Sequence, residues 1–150
     1  MKRFYMVLVL TAALLVSACG QKESPIIYPT PELTNDWTVS MTQTGGIMGL
    51  QRTIEVNADG SYTVTDSRSG DVVTGTLAAD EIGELKGLVT SIKFVAPELQ
   101  TNCADCFLYD INIQSSGRKL IIQADDVTLP DSGVEALVSF LRGKIEAAMQ

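Results

Sequence analysis

The sequence predicts an α+β domain: an antiparallel sheet of about six strands in the order ββββαββα, with two amphipathic helices on one face. Three observations predict it. Residues 37–77 hold four stretches that alternate apolar and polar, separated by glycine-bearing turns. The period then changes to helical spacing over residues 79–93. Two more alternating stretches follow, and a second helical stretch closes the chain.

Each element has its own signal. Over residues 37–43, Trp37, Val39 and Met41 fall on one face and Thr38, Ser40 and Thr42 on the other, the pattern of a half-buried strand. Residues 44–49 form a glycine-rich loop. Residues 50–57 alternate again, with Ile54 and Val56 inward and Glu55 and Asn57 outward. Ala58-Asp59-Gly60 is a hairpin turn, because Asp-Gly before an alternating run suits a tight turn. Tyr62 and Val64 mark the third strand, against Ser61, Thr63 and Thr65. Ser67-Arg68-Ser69-Gly70 turns the chain into a fourth strand over residues 71–77. Ile82, Leu85, Leu88, Val89 and Ile92 then sit at helical spacing, with Asp80 and Glu81 in the first turn, where the helix dipole favours acids. After a loop over residues 97–105, Phe107, Tyr109, Ile111 and Ile113 alternate against Leu108, Asp110, Asn112 and Gln114. Ser115-Ser116-Gly117 leads into a sixth strand over residues 119–124. A loop over residues 125–130 precedes Asp131 or Ser132 as the cap of the last helix, whose apolar stripe is Val134, Leu137, Val138, Leu141 and Ile145.

The N-terminus reads differently. Lys2 and Arg3 precede an apolar run over residues 4–16, and small residues follow. That layout is a secretory signal, and the run is shorter than the about 20 residues of a spanning helix. Val16-Ser17-Ala18-Cys19 resembles the lipobox of bacterial lipoproteins. The resemblance implies cleavage after residue 18 and lipidation of Cys19. Acyl chains contribute roughly 0.8 kcal/mol per buried methylene, so two or three would hold a small domain at a membrane. Pro25, Pro29 and Pro31 make residues 19–36 a lipidated cysteine followed by an extended tether. Residues 37–150 then form a single domain with one modest core. The expected location is extracytoplasmic, lipid-anchored to the bacterial cell membrane.

Composition narrows the function. Removing Lys2 and Arg3 with the signal takes the net charge from −7 to −9. A dispersed acidic surface argues against nucleic acid as a partner. Histidine is absent, which excludes Ser-His-Asp and Cys-His catalysis and histidine metal sites. No cofactor, metal or catalytic residue is expected.

With Cys19 assigned to lipid, Cys103 and Cys106 are left in an oxidising compartment. They suit a small structural disulfide. A redox pair is the alternative, but the motif runs into a strand, and Asp105 between the thiols would raise their pKa. Glu55, Asn57, Asp59, Gly60 and Asp66 loosely fit calcium-loop spacing, although their flanks alternate as strands. Asp125, Asp126 and Asp131 are explained equally by a cation or by a polar loop and a cap. Gly45-Gly46-Ile47-Met48-Gly49 has no GK[ST] and precedes a strand, so it is not a phosphate cradle. Its apolar pair either folds back onto the core or makes an exposed contact surface.

The succession Thr44-Gly45-Gly46-Ile47-Met48-Gly49-Leu50, a hairpin, then Leu77-Ala78-Ala79-Asp80-Glu81 opening a helix resembles the emfourin group. Phe107, Tyr109, Ile111 and Ile113, the Gly117 turn, Asp125-Asp126, Pro130 and a last amphipathic helix continue the same order. Emfourins are small protein inhibitors of thermolysin-like zinc metalloproteases. The resemblance implies a non-enzymatic, protease-binding domain whose contact is Gly45, Gly46, Ile47, Met48, Gly49 and Leu50. The lipobox, the tether and the Cys103/Cys106 pair depart from that family. The other expectations are a structural envelope lipoprotein without catalytic activity and, further off, a thiol oxidoreductase.

Overall fold

The computed structural model describes residues 29–94 and 103–150. The signal peptide, Cys19, the start of the tether and residues 95–102 lie outside the described residues. The domain is an open antiparallel sheet of six strands with two helices. The elements are β1 (Trp37–Gly45), β2 (Leu50–Asn57), β3 (Ser61–Asp66), β4 (Val72–Thr76), α1 (Ala79–Thr90), β5 (Phe107–Ser115), β6 (Arg118–Asp125) and α2 (Glu135–Ala148). A 3-10 turn over Leu129–Asp131 precedes α2.

The strand order is β4-β3-β2-β1-β5-β6. The first four strands form a meander, each joined to the next by a turn. After α1 the chain returns not beside β4 but beside β1, which becomes central: Ser40 faces Glu55 of β2 on one side and Asn112 of β5 on the other.

Alternation decides which face is buried. Trp37, Val39 and Met41 of β1, Ile54 and Val56 of β2, Val64 of β3, Tyr109, Ile111 and Ile113 of β5, and Ile122 of β6 are almost wholly removed from water. Leu85 and Val89 of α1, and Leu137, Val138, Leu141 and Ile145 of α2, join the same core. The opposite sheet face carries short polar side chains, with the Thr42 and Thr53 hydroxyls 3.0 Å apart across β1 and β2. Lys86 of α1 lies over the Trp37 ring at 5.7 Å, and Lys144 of α2 pairs with Glu81 of α1, tying the helices together.

Besides one-residue shifts at the ends of β4 and β6, four boundaries differ from the sequence expectation. β1 runs on through Thr44 to Gly45, because both neighbours keep pairing there. α1 stops at Thr90, not at residue 93. The Thr90 hydroxyl donates to Lys86 O at 2.8 Å and the Ser91 hydroxyl to Leu88 O at 2.9 Å, which loosens the last turn. Neither Asp131 nor Ser132 caps α2; its N-cap is Val134. Gly133, at φ 77°, bends the chain first, and the Ser132 hydroxyl holds that bend by accepting from Val134 N at 3.2 Å and donating to Leu129 O at 2.6 Å. Finally, the end of the tether is seated. Pro31 is buried, Leu33 packs on the core, and Thr34 N donates to the Ser115 hydroxyl at 3.2 Å.

Among the described residues no helix is long and apolar enough to cross a membrane.

Candidate functional site

The glycine-rich loop sits at the end of the sheet opposite the entry of residues 29–36. β1 starts beside Ser115, where Thr34 docks, and ends at Gly45 beside Leu50 and Phe107. At a strand rise of about 3.3 Å per residue, the nine residues of β1 separate the two ends by roughly 26 Å.

Ile47 and Met48 do not fold back onto the core. They are 89% and 72% exposed at the tip of the β1–β2 hairpin. Gly49 N bonds Gly46 O at 2.9 Å, closing the tip, and Gly45, Gly46 and Gly49 all have positive φ. A side chain on Gly45 would collide with the Cys106 carbonyl, and one on Gly46 with the Phe107 ring. Glycine here therefore does two things: it allows the tight turn, and it lets the cysteine loop close against the tip. Leu50 is half-buried at the base.

Three more segments converge on this end. Cys103 and Cys106 are joined as a disulfide with Cα atoms 5.5 Å apart, and Gly46 N donates to Cys106 O at 3.2 Å. Asp126, after β6, accepts Phe107 N at 2.8 Å and the Tyr109 hydroxyl at 2.8 Å. The β3–β4 turn closes from the other side: Arg68 donates to Met48 O, and Ser67 N to Gln51 O at 2.8 Å. These segments bring Val127, Leu108 and Val72 to the same end, all exposed. Of the six large apolar side chains exposed among the described residues, only Ile121 lies elsewhere.

Leu108, Val127, Val72 and Arg68 were not singled out by the sequence. Leu108 carries a signal in hindsight: it is the one apolar residue on the outward phase of β5, among Asp110, Asn112 and Gln114. Val127 is likewise an apolar residue in a polar loop.

Asp59, Asp66 and Asp125 have structural partners. Asp59 accepts Ser61 N at 2.9 Å and the Ser61 hydroxyl at 2.6 Å, which holds its carboxyl below the usual 3.8. Asp66 is held below 3.8 first by Arg52 at 2.8 Å and then by Arg68 N at 3.0 Å. Asp125 accepts the amides of Val127 and Thr128 at 3.0 and 2.8 Å. Among the described residues no group of three or more acidic or cysteine side chains is placed to hold a metal. The cysteine loop precedes a strand, so no helix N-terminus is aimed at either sulfur.

Two predictions arise here. Replacing Cys103 and Cys106 with serine removes a four-residue ring, worth about 2 kcal/mol by loop-closure entropy. Urea unfolding should show a lowered midpoint with an unchanged slope, and a molten product would contradict it. The second concerns pH. Asp59, Asp66 and Glu81 are more acidic folded than unfolded, Glu81 mainly through Lys144. Their contribution is complete above the ordinary values of 3.8 and 4.5 and is lost as pH falls through the lower folded values. Tyr109 behaves oppositely: burial and then its bond to Asp126 push its hydroxyl from 10.0 up to about 12. Its contribution is complete below 10.0 and is lost as pH rises toward about 12. Stability against pH should therefore be a plateau with both flanks falling. Asp66→Asn should flatten part of the acid flank, and Tyr109→Phe the alkaline one.

Compared with known proteins, the chain matches no protein family and no curated protein.

Proposed function

We propose that this chain is a bacterial lipoprotein, anchored to the membrane through Cys19, whose domain is a non-catalytic protein-binding module. The observation that carries this reading is the gathering of exposed apolar side chains around Ile47 and Met48, at the sheet end opposite the tether. Large apolar side chains left exposed at one end of a small domain mark a contact site. We take both helices to lie on one sheet face, which leaves the hairpin tip free of them. Gly45 to Leu50, braced by the disulfide loop, form the contact. The resemblance of the sequence to emfourins makes a thermolysin-like metalloprotease the first partner to test.

Two measurements test the reading. Cys19→Ser should move the protein from the membrane fraction to the soluble fraction; unchanged fractionation removes the lipid anchor. The mature chain carrying Cys19→Ser should then be titrated against a thermolysin-like protease. Activity falling to zero near equimolar ratio supports inhibition, and full activity at stoichiometric excess eliminates it.

A further inference from the structure

We propose that Met48 is an oxidation site, at which hydrogen peroxide converts the thioether to a sulfoxide and so weakens the apolar contact made by the hairpin tip. The inference rests on the reading of that tip as a contact, and adds its regulation.

Sulfur is unevenly placed in the domain. Among the described residues Met41 lies in the core at 0% exposure, and Met149 packs on the core just after α2. Cys103 and Cys106 are already oxidised to a disulfide, so neither holds a thiol. Met48, in contrast, is 72% exposed. Oxidation of sulfur follows access, so an oxidant that meets this domain reacts first at the tip. Ile47 beside it is exposed as well but has no oxidisable atom. The apolar pair thus joins one inert side chain to one that an oxidant changes.

The surroundings allow the reaction without loss of the fold. A Cβ added at Gly49, the next residue, would meet nothing within 4 Å, so the tip is open there. The hairpin tip is closed by bonds to backbone groups: Gly49 N to Gly46 O, Gly46 N to Cys106 O, and Arg68 to Met48 O. None of them uses the thioether, so its conversion leaves the tip closed. The step balances. Hydrogen peroxide transfers one oxygen atom to the sulfur, the thioether gives up two electrons, and the peroxide leaves as water. The product is polar, and its oxygen must be desolvated wherever the thioether would have been buried. Ile47 is untouched, so the contact is weakened and not abolished. Methionine sulfoxide reductases return the sulfoxide to methionine, which makes the change reversible.

Peroxide treatment of the mature Cys19→Ser chain, followed by peptide mass analysis, should show Met48 gaining oxygen at least about tenfold faster than Met149, with Met41 unreacted in the folded domain. The oxidised chain should keep its melting temperature and elute earlier from a phenyl column than the untreated chain. Met48→Leu keeps the apolar bulk without sulfur, so it should elute late before and after peroxide. Met48→Gln should elute early without it. Met149 or Met41 reacting first, or elution indifferent to the Met48 sulfoxide, overturns the proposal. Neither readout uses a partner, so that failure leaves the contact reading standing. Against a thermolysin-like protease that the untreated chain inhibits, the oxidised chain should be about tenfold weaker; equal potency overturns the proposal too.

Discussion

Replacing Ile47 and Met48 together with aspartate is expected to abolish binding at the hairpin tip while leaving the domain as stable as before. Each is exposed, so the core loses nothing, and a surface change of this kind stays within about ±0.5 kcal/mol. In a complex the balance reverses. Burying one such side chain contributes roughly 1.5–3 kcal/mol, and a carboxylate in its place brings a desolvation cost. The pair therefore amounts to at least a hundredfold in affinity, at about 1.4 kcal/mol per factor of ten. Val72→Asp, farther out on the edge strand, should cost much less. Calorimetric titration of each variant against the partner decides the matter. Full-affinity binding by the double variant would place the site elsewhere. A lowered melting temperature would mean instead that the two side chains pack on the domain.

Leu141→Ala is expected to have the largest effect on stability, a loss of about 2–5 kcal/mol. Leu141 is fully buried in α2, within the single core that both helices share with the sheet. Truncation leaves a cavity that close-packed neighbours only partly refill. For a domain of this size the melting temperature should fall by roughly 10–20 °C. Ser139→Ala, exposed on the same helix, is the control and should change little. A loss below about 1 kcal/mol would show that α2 contributes less to the core than its burial suggests.

Both variants rest on patterns that are visible before folding. The alternation of Trp37, Val39 and Met41 and the helical spacing of Leu137, Leu141 and Ile145 are local periodicities. Each is set by backbone geometry over a few residues. Such signals place elements well and end them badly. Ile92 keeps the helical spacing, yet α1 has already ended, because the Thr90 and Ser91 hydroxyls compete for its last carbonyls. Pro31, Leu33 and Thr34 read as tether, yet they dock, because Leu33 packs on the core and Thr34 finds Ser115, 81 residues away.

The candidate site divides in the same way. Its centre was legible: two large apolar residues between glycines are conspicuous, and Asp125-Asp126 and the cysteine pair are adjacent in sequence. What surrounds that centre was not. Leu108 and Val127 reach the tip only because β5 inserts beside β1, and no local spacing encodes which strand it will choose; Arg68 reaches it from the other side, on the β3–β4 turn. The sequence by itself determined the elements, their buried faces and the presence of an apolar glycine loop, since these follow from side-chain period and turn chemistry within short windows. Only the tertiary structure decided the strand order, the exposure of Ile47 and Met48 and the closing of the disulfide loop against them. Those depend on pairings between residues far apart in the chain, where hydrogen-bond geometry and the burial of one shared face select a single arrangement.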